Sequence, residues 1–152
     1  MGSVMAPLIL EAGYGLSVWN RSPEKADHIV GLGAKKVLTP AELANTTDIV
    51  ISMLTDDAAI RAVYEGPEGL LSVPVNGKLF IDMSTLRPPT VHHLAQQVST
   101  AGASFVDAPV SGTVAPAKLG KLLVLCGASK DDFERAQPIL EIFGRRIIHA
   151  GP

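Results

Sequence analysis

The chain has 152 residues, 47% hydrophobic and 18% charged, with a formal net charge of −2. That balance suits one globular domain with a buried core and excludes an intrinsically disordered chain. It offers no electrostatic attraction to nucleic acid or an anionic membrane, and a single cysteine, Cys126, excludes an internal disulfide and a cysteine-rich zinc site.

In chain order, residues 3–12 read as a first helix stopped by Gly13 or Gly15, with Pro7 near enough to the start to be tolerated. The opening residues lack a basic stretch and Glu11 closes them, so they do not read as a targeting segment. The expected location is the cytoplasm or an organelle matrix. Residues 16–19 predict a strand, and Ser22 with Pro23 predicts a helix cap. A short strand at 36–38 leads to Thr39-Pro40-Ala41-Glu42, which has the spacing of a capping box. Residues 48–54 form a nearly continuous apolar run, the pattern of a central parallel strand buried on both faces. Asp56 and Asp57 suit the start of a helix reaching about Tyr64. A strand at 78–83 precedes a helix opened by Pro88-Pro89, with Val91, Leu94, Ala95 and Val98 as its apolar stripe. Strands at 104–107 and 122–126 flank a short helix near 115–119. Ser129 caps a helix to about Phe143, and residues 146–149 close the chain as a strand. This alternation predicts a doubly wound, mostly parallel α/β sheet with helices on both faces. A dinucleotide-binding unit begins strand, Gly-rich turn, helix. This chain starts in the helix, so the expected sheet lacks its first strand.

Open α/β sheets bind ligands beyond the carboxyl ends of their strands, and several strands here end in small polar groups. The run Phe105-Val106-Asp107-Ala108-Pro109-Val110-Ser111-Gly112-Thr113 delivers a hydroxyl and a glycine at a strand end. Asn20-Arg21-Ser22 follows the second strand of the pattern, where NAD-binding units carry an acid for the ribose hydroxyl. With no acid and with Arg21 able to grip a phosphate, the tetrapeptide from Trp19 suggests NADP rather than NAD; a helix cap beside a surface arginine is the plainer alternative. Met53-Leu54-Thr55 and Ser84-Thr85 end two further strands. Asp82 and Asp107 lack the neighbours of a general base. His92 and His93 are adjacent, without the same-face spacing of a metal pair, and His28 and His149 show no evident partners. No metal site is expected, and Cys126 reads as inert core.

These residues resemble the β-hydroxyacid dehydrogenases, which include 3-hydroxyisobutyrate dehydrogenase and the glyoxylate/succinic semialdehyde reductases and share the 6-phosphogluconate dehydrogenase type of NAD-binding domain. Asp107-Ala108-Pro109-Val110-Ser111-Gly112 is similar to the family's substrate-binding segment. Met1-Gly2-Ser3-Val4-Met5-Ala6 resembles the tail of its cofactor turn, and Met83-Ser84-Thr85 its nicotinamide-side segment. The resemblance implies that Ser111, Gly112 and Thr113 hold a substrate carboxylate. It further implies that Met1, Gly2, Asn20, Arg21, Ser22, Met53, Leu54, Thr55 and Thr85 line the cofactor. Thr55, Ala59 and Thr113 stand where many members have Pro, Asn and Gly.

The family's catalytic lysine lies in a helical domain that follows a Gly-rich link. The expectation is therefore that residues 1–152 are an incomplete NAD(P)-binding domain with no catalytic residue of its own. The implied enzyme is an NADP-dependent oxidoreductase moving a hydride between nicotinamide and a small 3-hydroxyacid or semialdehyde carboxylate. The missing strand leaves room for pairing with a second copy. The alternatives are a non-catalytic cofactor- or partner-binding module, and an imine reductase-like enzyme.

Overall fold

The computed structural model describes residues 1–152. The elements in chain order are α1 (Gly2–Glu11), β1 (Ser17–Val18), α2 (Asp27–Gly31), β2 (Lys35–Lys36), α3 (Pro40–Thr46), β3 (Ile49–Ser52) and α4 (Asp57–Glu65). They continue with β4 (Leu79–Asp82), α5 (Pro88–Thr100), β5 (Ser104–Asp107), β6 (Val110–Ser111), α6 (Val114–Lys118), β7 (Leu122–Gly127), α7 (Lys130–Phe143) and β8 (Gly144–Gly151). Strands β3, β4 and β5 run parallel and in that order. Next to β5 lies antiparallel β7, which carries β6 antiparallel and β8 parallel to itself. β1 and β2 form a separate parallel pair.

Alternation along β4 sends side chains to opposite faces, and each face has its own core. Leu79 and Ile81 join Val106, Val124, Leu140 and Phe143, a cluster that also takes in Met5 of α1. Phe80 points the other way, into Tyr64, Leu94 and Val98 of α4 and α5. Helices thus cover both faces, as the α/β alternation predicts.

The apolar run at 48–54 is not a strand buried on both sides. β3 is an edge strand of its sheet, and Ile49 is 37% exposed. The strand buried at every position is β4, which has a neighbour on each side. Ser22 is also a correction. It heads a 3₁₀ turn, Pro23–Ala26, without a side-chain cap bond. Asn20 Oδ1 instead accepts the Ser22 amide at 2.9 Å, a local Asx bond that competes with capping.

Other helix starts follow their local chemistry. Thr39 Oγ1 accepts from Glu42 N at 3.0 Å, while Glu42 Oε2 reaches past the cap to the Leu38 amide. Asp56 caps α4 by accepting from Ala59 N at 2.8 Å. Ser129 caps α7 through the Asp132 amide. His149, which shows no partner in the sequence, stacks on Phe133 at 4.3 Å and bonds the Ala128 carbonyl.

Candidate functional site at the strand tips

The parallel register aligns Ser52, Asp82 and Asp107 across the last rungs of β3, β4 and β5. Register partners on parallel strands share a face, so the three polar side chains stand in a row, on the side that carries Tyr64. The Ser52 hydroxyl donates to Asp82 Oδ1 at 2.7 Å and lies 2.9 Å from the Tyr64 hydroxyl. The backbone keeps the rungs locked: Met83 N donates to Ser52 O and Ala108 N to Asp82 O.

Beyond that row the chain leaves each strand in a short polar turn. Ser84 Oγ donates to Asp82 Oδ1 at 2.8 Å and accepts from Leu54 N at 2.9 Å. This bond joins two of the turns proposed to line a cofactor. Leu54 is half-buried, whereas Thr55 and Thr85 are exposed just past it. A Cβ on Gly2 would lie 3.6 Å from Met53 Cβ, so the start of α1 sits against the β3 tip. Gly2, Met53, Leu54 and Ser84 therefore meet, with Thr55 and Thr85 at the edge of the group.

The two helices that begin here differ in charge. α1 has Met1 at its N-cap, no side-chain cap bond and no acid in its first turn. α4 has Asp56 as its cap and Asp57 in its first turn. Asp57 is held by Arg87 at 2.9 Å, and a hydrogen bond from Thr90, ahead of the Arg87 contacts, lowers its pKa. A helix N-terminus attracts anions through its free amides and dipole. Of these two, the α1 start leaves that attraction unanswered by the chain's own carboxylates.

Asn20, Arg21 and Ser22 lie elsewhere, at the end of β1. Arg21 is exposed and pairs with no carboxylate. The Trp19 indole donates to Leu38 O at 3.2 Å, closing one side of a shallow hollow lined by Trp19, Asn20, Pro23, Lys36, Val37 and Leu38. Helix α1 packs on α2, α6 and α7 and so bridges the β1–β2 pair to the larger sheet.

Ser111, Gly112 and Thr113 follow β6. Asp107 faces Gly127 of β7 while Ser111 faces Leu123, so Ser111 stands well past the β5 tip along the same ladder. All three residues are exposed, and Thr113 precedes α6 without a side-chain cap bond. Gly112 has φ +145°, and a Cβ there would approach Leu122 Cδ2 to 2.7 Å. Neither the Arg21 nor the Ser111 side chain hydrogen-bonds to the Leu54–Ser84 group.

Burial sets the electrostatics of the row. It raises the pKa of Asp82 against the lowering effect of the Ser52 and Ser84 bonds. It pushes Asp107 up to about 6, aided by the charge of Asp82 and opposed by His92. Tyr64 is pushed up by burial and then by Asp82. Cys126 is fully buried and its thiol rises to about 11, consistent with an inert core position. His93 pairs with Glu65, and no group of three or more His, Cys, Asp and Glu side chains is gathered in metal-binding geometry. Sequence reasoning missed Ser52 and Tyr64, which brace Asp82 from the core side without lining the strand tips. The available signal was that three apolar strands end in Ser52, Asp82 and Asp107.

Comparison with known proteins gives a consistent result. A family profile described as the NAD binding domain of 6-phosphogluconate dehydrogenase matches residues 1–151. Glyoxylate/succinic semialdehyde reductase 2, chloroplastic, of Arabidopsis thaliana is 37% identical over 151 residues, covering 99% of this chain and 42% of that protein. The 3-hydroxyisobutyrate dehydrogenase of Pseudomonas aeruginosa is 36% identical over 151 residues, covering 99% of this chain and 51% of that protein. The solved structure of Psf3 in complex with NADP+ and 2-OPP superposes with a TM-score of 0.93 at 26% identity, covering 99% of this chain and 54% of that one. The chain spans about half the length of the curated relatives it matches.

Proposed function

Because this chain belongs to the family of the NAD-binding domain of 6-phosphogluconate dehydrogenase, we propose that it holds NADP for an oxidoreductase acting on a small hydroxyacid or semialdehyde carboxylate. The observation that carries this reading is the uncapped, acid-free start of α1 resting on the β3 tip. A dinucleotide pyrophosphate is the anion that such a start accepts in an α/β sheet. Met1 and Gly2 would face the pyrophosphate, and Met53, Leu54, Thr55 and Thr85 would line the chain of the cofactor towards nicotinamide. Arg21, with Asn20 and Ser22, would meet the 2′-phosphate at the β1 tip. When bound, the nicotinamide supplies or takes the hydride.

The substrate reading draws on chemistry shared by the relatives' names. Glyoxylate, succinic semialdehyde and 3-hydroxyisobutyrate are all small carboxylates. Ser111, Gly112 and Thr113 offer a hydroxyl, an open backbone and a second hydroxyl at one exposed turn. They would orient the carboxylate, and no residue of this chain is assigned to exchange the alcohol proton.

The test is isothermal titration of the 152-residue chain with NADPH, with NADH and with 2′,5′-ADP. Tighter binding of NADPH than NADH by about tenfold or more, with 2′,5′-ADP competing, supports the reading. Equal affinity for the two cofactors overturns the 2′-phosphate assignment. Failure of both to bind overturns the cofactor reading.

A further inference from the structure

We infer that Asp82 is the positioning residue of this site: through the Ser84 hydroxyl it fixes the Leu54 amide and thereby the spacing of two strand tips. The inference rests on reading those tips as the cofactor shelf.

Asp82 is fully buried, and its Oδ1 gathers Ser52 Oγ at 2.7 Å, Ser84 Oγ at 2.8 Å and Ser84 N at 3.4 Å. A hydroxyl has one proton to give. Ser84 commits its proton to the carboxylate, so towards Leu54 it acts only as an acceptor. Ser52 commits its proton in the same way, so Tyr64 is the donor in the Tyr64–Ser52 pair. The Ser52 and Ser84 hydroxyls therefore both point at Asp82, and that one carboxylate orients both side chains. The relay has two arms: one runs through Ser52 to Tyr64 in the core, the other through Ser84 to the Leu54 amide at the ligand edge.

The remaining oxygen, Asp82 Oδ2, is buried without a hydrogen-bond partner. The titratable groups around it are Tyr64 from α4 and Asp107 from β5; His92 of α5 lowers Asp107, and Asp107 in turn raises Cys126 of β7. No basic side chain pairs with Asp82. A buried carboxylate with an unsatisfied oxygen and no counter-ion costs stability. What the carboxylate does that an apolar residue could not is hold the Ser84 side chain in the orientation in which its oxygen meets the Leu54 amide.

The test compares Ser84→Ala, Asp82→Ala, Asp82→Asn and Tyr64→Phe in this chain. The readouts are hydrogen exchange of the Leu54 amide without cofactor, NADPH affinity and Tm. Ser84→Ala and Asp82→Ala are expected to speed Leu54 exchange and weaken NADPH binding, each by about tenfold. Asp82→Asn, which keeps an acceptor oxygen, is expected to restore both to within about threefold. Tyr64→Phe, on the core arm, is expected to lower Tm while leaving Leu54 exchange and NADPH affinity within about threefold. A role in general bracing predicts instead that Tyr64→Phe moves the Leu54 readouts as much as Ser84→Ala does, and that result overturns the inference. Should Asp82→Ala fail to fold, Ser84→Ala decides alone. NADPH binding by the parent with Leu54 exchange unchanged in Ser84→Ala rejects the relay and leaves the cofactor reading standing. Faster Leu54 exchange in Ser84→Ala, with no NADPH binding by the parent, keeps the relay and rejects the cofactor reading.

Discussion

Asp82 and Asp107 are register partners at the ends of adjacent parallel strands, and neither carboxylate pairs with a lysine or arginine. Two acids side by side, Asp82 fully buried and Asp107 half-buried, disfavour each other's charge. The pair gives the strand tips a pH-sensitive element.

Asp107 makes that sensitivity measurable. It ionises near its ordinary 3.8 in the unfolded chain and near 6 in the folded one, because of burial first and the charge of Asp82 second. Between those values the folded state keeps a proton that the unfolded state has lost. The stability contributed is fully present below the unfolded value and disappears as pH rises through the folded value. Asp107→Asn is therefore expected to flatten the fall in Tm between about pH 4 and pH 6, and to melt higher than the parent at pH 7. Thermal melts across that range check it; parallel curves for the two proteins would contradict the assigned shift.

Cofactor preference should turn on Arg21. It is exposed, carries no internal ion pair and follows the β1 tip. Arg21→Asp replaces a phosphate-binding fork with a group suited to the ribose hydroxyls. The expected result is a loss of NADPH affinity of about tenfold or more, with NADH affinity maintained or improved. Titrations of both cofactors decide it, and an unchanged ratio would remove Arg21 from the site. Because the residue is on the surface, Tm should stay within a few degrees of the parent.

Gly112 is expected to be intolerant of any side chain. Its φ of +145° lies where L-residues are strained, and a Cβ would approach the buried Leu122 side chain to 2.7 Å. Gly112→Ala should cost about 2 kcal/mol. Urea melts of the two proteins measure this directly, with the m-value held constant as the check that the fold is unchanged. A neutral substitution would mean that the turn relaxes, and that Ser111 is less firmly placed than the structure shows.

Local chemistry was the legible part of the sequence. Thr39, Asp56 and Ser129 announce helix starts because a cap bond spans only a few residues, and all three caps form. The alternation of strands and helices was legible for the same reason. What could not be read was anything set between distant strands. Ile49 looks the same in sequence whether its strand is central or at an edge, and only the pairing of β3 with β4 alone exposes it. The row of Ser52, Asp82 and Asp107 depends on register, and the Ser52–Asp82 bond joins residues separated by 30 positions. Ser22 failed as a cap because Asn20, two residues earlier, takes its amide. Of the proposed cofactor residues, Gly2, Met53 and Leu54 come together around Ser84, whereas Arg21 sits at the end of β1, as the proposed substrate residue Ser111 sits at the end of β6.

The central claim is that the strand tips form one shelf for a phosphorylated dinucleotide. The most direct measurement is an amide chemical-shift titration of the isotopically labelled chain with NADPH. The account predicts saturable shifts concentrated at Gly2, Arg21, Ser22, Leu54, Thr55 and Thr85, with β8 and the C-terminal half of α7 unmoved. Saturable binding whose shifts fall outside those tips, or no shift at all at millimolar NADPH, would contradict it.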